Sequence, residues 1–171
     1  MTLTIHRGTH EIGGSCVEIR TDKAKILIDL GMPLDYDKHN TEEQTEIRHN
    51  AKEWCKGVDA LFLSHAHADH YGFLDLLTQD TPIYATEETF VMLALDGILG
   101  DDPTEHLKKH PLTSGQSCEV ADIKVTAYIV DHSAYGACAY LIECDGKRIL
   151  YSGDIRLHGV KGVLYKNLPK D

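Results

Sequence analysis

The chain has 171 residues, a formal net charge of −10, 42% hydrophobic and 26% charged side chains. Those proportions exclude a disordered polymer and are enough for one domain with a core. No apolar run approaches the ~18 residues of a membrane span, and Met1-Thr2-Leu3-Thr4-Ile5-His6 lacks the basic and apolar stretches of a secretory signal.

In chain order, Thr2–Arg7 alternates apolar and polar residues and is predicted to be a strand. Gly13-Gly14 marks a tight turn. Cys16–Arg20 and Ala24–Asp29 are predicted to pair across Thr21-Asp22-Lys23, and Gly31–Asn40 reads as a loop around Pro33. Thr41–Lys56 is a polar helix, with Thr41-Glu42-Glu43-Gln44 as its expected capping box. Val58–Ser64 is a predicted strand, Tyr71–Gln79 a helix and Pro82–Ala85 a short strand. Thr86–Leu99 is a helix capped by Thr86 and stopped at Gly100. Ile123–Val130, Ala137–Cys144 and Arg148–Ser152 are predicted strands, the last two joined by a two-residue turn at Asp145-Gly146. Strands at both ends and helices between them predict layered α/β architecture.

The five cysteines form no Cys-x-x-Cys pair, and Cys16, Cys138 and Cys144 fall in strand-like stretches. A reduced, cytoplasmic protein is expected. Six Lys/Arg against two Asp make Gly146–Asp171 basic, which leaves residues 1–145 at −14. The acidic body repels phosphate polymers at long range, and two bound divalent cations would offset about four of its charges.

His65-Ala66-His67-Ala68-Asp69-His70 follows the apolar strand Val58–Ser64. His65 and His67 are two apart and can face one side of an extended backbone. Asp69 and His70 follow on the turn into the next helix. The set suits two adjacent divalent metals. A solvated histidine-rich turn is the plain alternative, but four ligand-type side chains behind an apolar strand are costly to desolvate unused. Three more polar residues stand at strand ends: Asp29 after Ile26-Leu27-Ile28, His132 after Ile129-Val130-Asp131, and Asp154 after Tyr151-Ser152-Gly153. Asp29 by itself is also an ordinary turn aspartate. Gly153 allows a sharp turn that aims Asp154 off the sheet edge.

The ordered set Asp29, His65/His67/Asp69/His70, His132 and Asp154 resembles the metallo-β-lactamase superfamily of binuclear hydrolases. His70 points away from lactam hydrolysis. Glu11-Ile12-Gly13-Gly14-Ser15-Cys16, Asp131-His132-Ser133 and Ser152-Gly153-Asp154-Ile155-Arg156 look like its β-CASP branch, the nucleases related to ribonuclease J and the mRNA 3′-end-processing endonuclease. The resemblance implies an αββα sandwich, with residues 1–171 as the N-terminal portion of the metal-binding domain and the sandwich incomplete at its C-terminal side. It implies two zinc ions, or manganese. His65, His67 and His132 would hold one, Asp69 and His70 the other, and Asp154 would bridge them. Asp69 and Asp154 would frame a metal-bridging hydroxide nucleophile. Asp29 would orient a ligand imidazole. Ser133, Arg156 and His10 are the expected substrate contacts.

One departure stands out. The family supplies a further histidine to the second site well downstream of the Asp154 position. Here Ile155–Asp171 contain only His158, four residues after Asp154. The β-CASP domain is absent too, so the chain is expected to be part of a longer enzyme. The leading expectation is a metal-dependent phosphodiesterase acting on RNA or another phosphodiester, without a membrane and with a homodimer as one assembly open to it. A glyoxalase II-like thiolester hydrolase would use nearly the same ligands. A metal-binding but non-catalytic fragment or interaction module is the third reading.

Overall fold

Ile26 and Ile28 face one way and Leu27 the other, and that alternation sets the layering of the molecule. The computed structural model describes residues 1–98 and 102–169. The first six strands, Thr2–Arg7 (β1), Cys16–Arg20 (β2), Lys25–Ile28 (β3), Ala60–Phe62 (β4), Pro82–Thr86 (β5) and Lys108–Leu112 (β6), form one sheet in that spatial order. β1, β2 and β3 pair antiparallel, and β3 through β6 are parallel. Ser117–Val120 (β7), Ile123–Ile129 (β8), Cys138–Cys144 (β9) and Lys147–Tyr151 (β10) form an antiparallel second sheet in the order β10-β9-β8-β7. The helices are Thr41–Trp54 (α1), Ala68–Tyr71 (α2) and Glu87–Ile98 (α3).

Leu27, Leu61, Leu63 and Ile83 pack against Ala51 of α1 and Phe90 and Leu93 of α3. Ile26, Ile28 and Phe62, on the other face, meet Ile123, Val125, Tyr140 and Ile142 of the second sheet. Buried on both faces, β3 and β4 read as continuous apolar runs. The outer face of the second sheet is covered at one end by Ile155 and Leu168, which pack on Val130, Ala137 and Ala139. The architecture is therefore α/β/β, with the fourth layer represented among the described residues by the short 3-10 turn Gly162–Asn167. No helix among the described residues is long and apolar enough to cross a membrane.

Several expectations shift. The cap of α1 is Asn40, not Thr41: its side chain accepts from the Glu42 and Glu43 amides, and Glu43 reaches back to the Asn40 amide. The helix expected over Tyr71–Gln79 ends at Tyr71, and only a 3-10 turn at Leu74–Leu76 follows. The bonds that would extend it go elsewhere: the Asp69 and His70 carbonyls accept from the Ser15 and Leu30 amides at 2.9 and 2.8 Å, and the Phe73 amide donates to the Leu30 carbonyl at 3.1 Å. Two strands, β6 and β7, were not anticipated. Thr86 does cap α3, accepting from the Thr89 amide at 3.2 Å. The expected stop at Gly100 lies outside the described residues. Asp145 and Gly146 both have positive φ, 51° and 67°, as the two-residue hairpin turn requires.

A charged cluster fastens β1 to β3. The Glu18 carboxylate lies 2.9 Å from Arg20 Nε, 3.0 Å from His6 Nε2 and 3.2 Å from Lys25 Nζ, and Lys25 also donates to the Trp54 and Lys56 carbonyls. Burial alone would raise the Glu18 carboxyl, but the hydrogen bonds from Arg20, His6 and Lys25 outweigh it and bring it down to about 2. A carboxyl depressed in the folded state stabilises above its unfolded value, near 4.5, and loses that contribution as pH falls toward 2. The expected loss is about 3 kcal/mol at ~1.4 kcal/mol per pH unit. Urea unfolding at pH 6 and pH 3 should show about 2 kcal/mol of it for the parent chain and much less for Glu18→Gln. Equal acid sensitivity of the two proteins would contradict the assignment.

Candidate metal centre

The C-terminal ends of β3, β4, β8 and β10 open on one edge of the sandwich, and Ser64 joins the two sheets there. Its carbonyl accepts from the Cys138 amide at 2.9 Å, while Tyr140 Oη donates to the Leu63 carbonyl at 2.8 Å. Asp29 leaves β3, His65 and His67 leave β4, His132 leaves β8 and Asp154 leaves β10, so residues far apart in sequence meet at this edge.

Three imidazole nitrogens converge. His65 Nε2 and His132 Nε2 lie 3.0 and 3.2 Å from His67 Nδ1. Nitrogens on a tetrahedral zinc with ~2.0–2.1 Å bonds stand about 3.3 Å apart, and these three all lie within 4.8 Å of one another, so the donor set could hold a metal. A second group comprises His65, His70 and Asp154. Asp154 Oδ1 lies 3.6 Å from His70 Nε2, and its Oδ2 lies 3.7 Å from His132 Nε2. Asp69 Oδ2 stands 3.7 Å from the same His70 nitrogen. Gly153, at φ 55°, turns the chain after β10 and brings its backbone against the Ser64 side chain.

Behind these groups sits Asp29, fully buried and itself at φ 58°. Its Oδ1 accepts from the Ser64 amide at 2.7 Å. Its Oδ2 accepts from Ser64 Oγ at 2.8 Å, His70 Nδ1 at 2.7 Å and Tyr151 Oη at 2.6 Å. Burial would raise this carboxyl, but the His70 ring and the donated hydrogen bonds hold it below the usual range. An ionised Asp29 only accepts, so His70 holds a proton on Nδ1, and in its neutral form it turns a bare Nε2 toward Asp69 and Asp154. Ser64 Oγ spends its proton on Asp29, so at 3.0 Å it accepts from His65 Nδ1. That leaves the His65 Nε2 lone pair facing His67. Burial and the neighbouring His70 push His65 down to about 3, which keeps it neutral. Burial also lowers His132, against the pull of Asp154. For His70 burial opposes the charged ring, but Asp29 outweighs it and raises the value. Neutral imidazoles are the ones that bind metal, so His70 would give up its Nε2 proton on binding one.

The structure thus brings together His65, His67, Asp69, His70, His132 and Asp154, with Asp29 behind them. A cleft of about 510 Å³ beside them is lined by Ser133 and Arg156 as well as His132 and Asp154. Arg156 pairs with Asp131 at its rim. His10, expected at the cleft, is instead exposed on the Gly8–Gly14 loop and does not line it. His158 is exposed and belongs to neither metal-capable group among the described residues. Ser64 and Tyr151 went unrecognised in the sequence. Ser64 directly precedes His65, and Tyr151 opens Tyr151-Ser152-Gly153-Asp154, so adjacency was the available signal.

Residues 25–162 match the family model described as the beta-lactamase superfamily domain. An RNase J-like protein of Methanocaldococcus jannaschii is 33% identical over 99% of this chain and 39% of its own length. Transcription termination factor FttA of Methanothermobacter thermautotrophicus is 31% identical over 90% of this chain and 27% of its own length. The crystal structure of a protein of unknown function from Enterococcus faecalis superposes with a TM-score of 0.81 at 28% identity, covering 96% of this chain and 46% of that one. This chain therefore spans less than half the length of each.

Proposed function

This chain belongs to the beta-lactamase superfamily, and from that premise we propose that it carries the metal-binding part of a divalent-metal-dependent phosphodiesterase of ribonuclease type. One observation carries the reading: the two oxygens of Asp154 face His132 Nε2 and His70 Nε2 at 3.7 and 3.6 Å, so a single carboxylate joins two imidazole groups. Similarity to an RNase J-like protein supports RNA as the substrate class.

In this reading His65, His67 and His132 hold one zinc. Asp69 and His70 hold a second, with Asp154 shared. When bound, such a pair makes water a nucleophile near neutral pH and stabilises charge on a phosphoryl oxygen. The chain's own groups supply the rest. Asp29 and Ser64 present bare Nε2 atoms from His70 and His65, and Asp69 and Asp154 add negative charge that fixes cations at the cleft. Ser133 stands on the cleft wall, where it can donate to a substrate oxygen. The five free cysteines suit the reducing cytoplasm, where we place the protein.

Calorimetric titration of metal-stripped protein with zinc tests this. Three imidazoles already at coordination spacing should fill first. The second group, with one histidine of its own and carboxylates 3.6–3.7 Å from it, should follow in a weaker step. RNA cleavage, if this chain alone sustains it, should need metal and fall by several orders of magnitude in a folded Asp69→Asn protein. No zinc uptake would sink the proposal. Zinc uptake with thiolester turnover and no phosphodiester cleavage would favour a glyoxalase II-like hydrolase.

A further inference from the structure

We propose that Asp131 and Arg156 form a clasp that sets the distance between the loop bearing His132 and the loop bearing Asp154; the inference rests on the metal-binding reading above. His132 follows β8 and Asp154 follows β10, and these strands are not neighbours, because β9 runs between them. Sheet hydrogen bonding alone therefore does not bring the two loops together. Asp154 Oδ2 nevertheless lies 3.7 Å from His132 Nε2. Something beyond the strand ends must close the gap.

The residue before His132 and the second residue after Asp154 do so at two levels. The Arg156 amide donates to the Asp131 carbonyl at 2.8 Å. The Arg156 guanidinium donates to Asp131 Oδ1 through Nε at 3.2 Å and Nη2 at 3.1 Å. Asp131 is 3% exposed. Its other oxygen, Oδ2, is buried with no hydrogen-bond partner among the described residues. That oxygen fits only because residue 159 has no side chain: a Cβ on Gly159 would stand 1.9 Å from Asp131 Oδ2 and 2.5 Å from Arg156 Nε. The segment after Asp154 thus wraps the Asp131 carboxylate, with arginine on one side and glycine on the other. A buried carboxylate with an orphaned oxygen is expensive. Its position between two ligand-bearing loops gives that expense a use. Arg156 is then a positioning residue rather than the substrate anchor expected from sequence.

The test is cobalt(II) titration of the whole metal-stripped chain, read by the visible spectrum of the bound ion and by competition with a chelator. Arg156→Gln removes the fork from a partly exposed side chain, and Gly159→Ala pushes the clasp apart without substituting either charged residue. Each should keep its circular dichroism, bind cobalt 10–100-fold more weakly and alter the spectrum, the scale on which residues supporting metal ligands act. Combining Arg156→Gln with Asp131→Asn should weaken binding no further than either alone, because both cut one link. Arg156→Gln and Gly159→Ala proteins with parent affinity and spectrum would overturn the clasp while leaving the metal centre standing. Unchanged cobalt binding with weakened RNA binding in Arg156→Gln would overturn it in favour of direct substrate contact. A parent chain that takes up no cobalt would overturn both the clasp and the metal reading on which it rests.

Discussion

Replacing His67 by alanine is expected to abolish the tight zinc step. His67 Nδ1 is the shared neighbour of the other two ring nitrogens, at 3.0 Å from His65 Nε2 and 3.2 Å from His132 Nε2. Without it two imidazoles remain, and a site that loses one of three protein ligands should bind at least a thousandfold more weakly. The consequence is visible without any substrate. Zinc at ~1,000 times its dissociation constant stabilises the protein that binds it by about 4 kcal/mol. The parent chain should therefore melt several degrees higher with zinc than without, and His67→Ala should not. His67 is only half-buried, so the variant's metal-free melting should stay close to the parent's. Any RNA cleavage should fall by three orders of magnitude or more. A His67→Ala protein with undiminished zinc-dependent stabilisation would show that the three histidines do not share an ion.

The same residues show what local sequence reveals. Apolar runs ending in a polar residue marked β3, β4 and β10, and so located Asp29, His65 and Asp154. β3 and β4 are buried throughout, and burial writes itself into composition, whereas β10 is an edge strand that turns only Ile149 and Tyr151 to the core. β6 is different. Lys108-Lys109-His110-Pro111-Leu112 lies at the sheet edge with only Leu112 buried, so no alternation betrays it. The helix predicted after the histidines stopped early for a non-local reason, because the Ser15 and Leu30 amides take the Asp69 and His70 carbonyls and the Phe73 amide turns to Leu30. Arg156 shows the same limit. Its bond to Asp131, 25 residues earlier, is one that no local pattern shows. Tyr151 meets Asp29 across 122 residues, and nothing local announces that bond.

Asp29 is where those long-range bonds collect, and Asp29→Asn is expected to disable the centre while preserving its shape. Asparagine tolerates the positive φ of 58° that this position requires. Its carbonyl can still accept from the Ser64 amide. Its NH₂, however, would stand where Oδ2 now accepts from Ser64 Oγ, His70 Nδ1 and Tyr151 Oη. A donor would then face three donors. The cheapest relief is for His70 to move its proton from Nδ1 to Nε2, which caps the nitrogen facing Asp69 and Asp154. Ser64 would turn its hydroxyl away, releasing His65 Nδ1 as well. Breaking a buried charged pair by changing one partner costs about 3–5 kcal/mol, so a large fall in melting temperature is expected. Metal affinity should drop 10–100-fold or more, the scale for residues that orient ligand imidazoles. Nitrogen-15 NMR of the imidazoles in metal-stripped protein, at a pH where His70 is neutral, reads the tautomer directly: His70 should carry its proton on Nδ1 in the parent and on Nε2 in Asp29→Asn. An Asp29→Asn protein that melts with the parent and keeps the His70 proton on Nδ1 would show that this carboxylate does not set the protonation of the ligands.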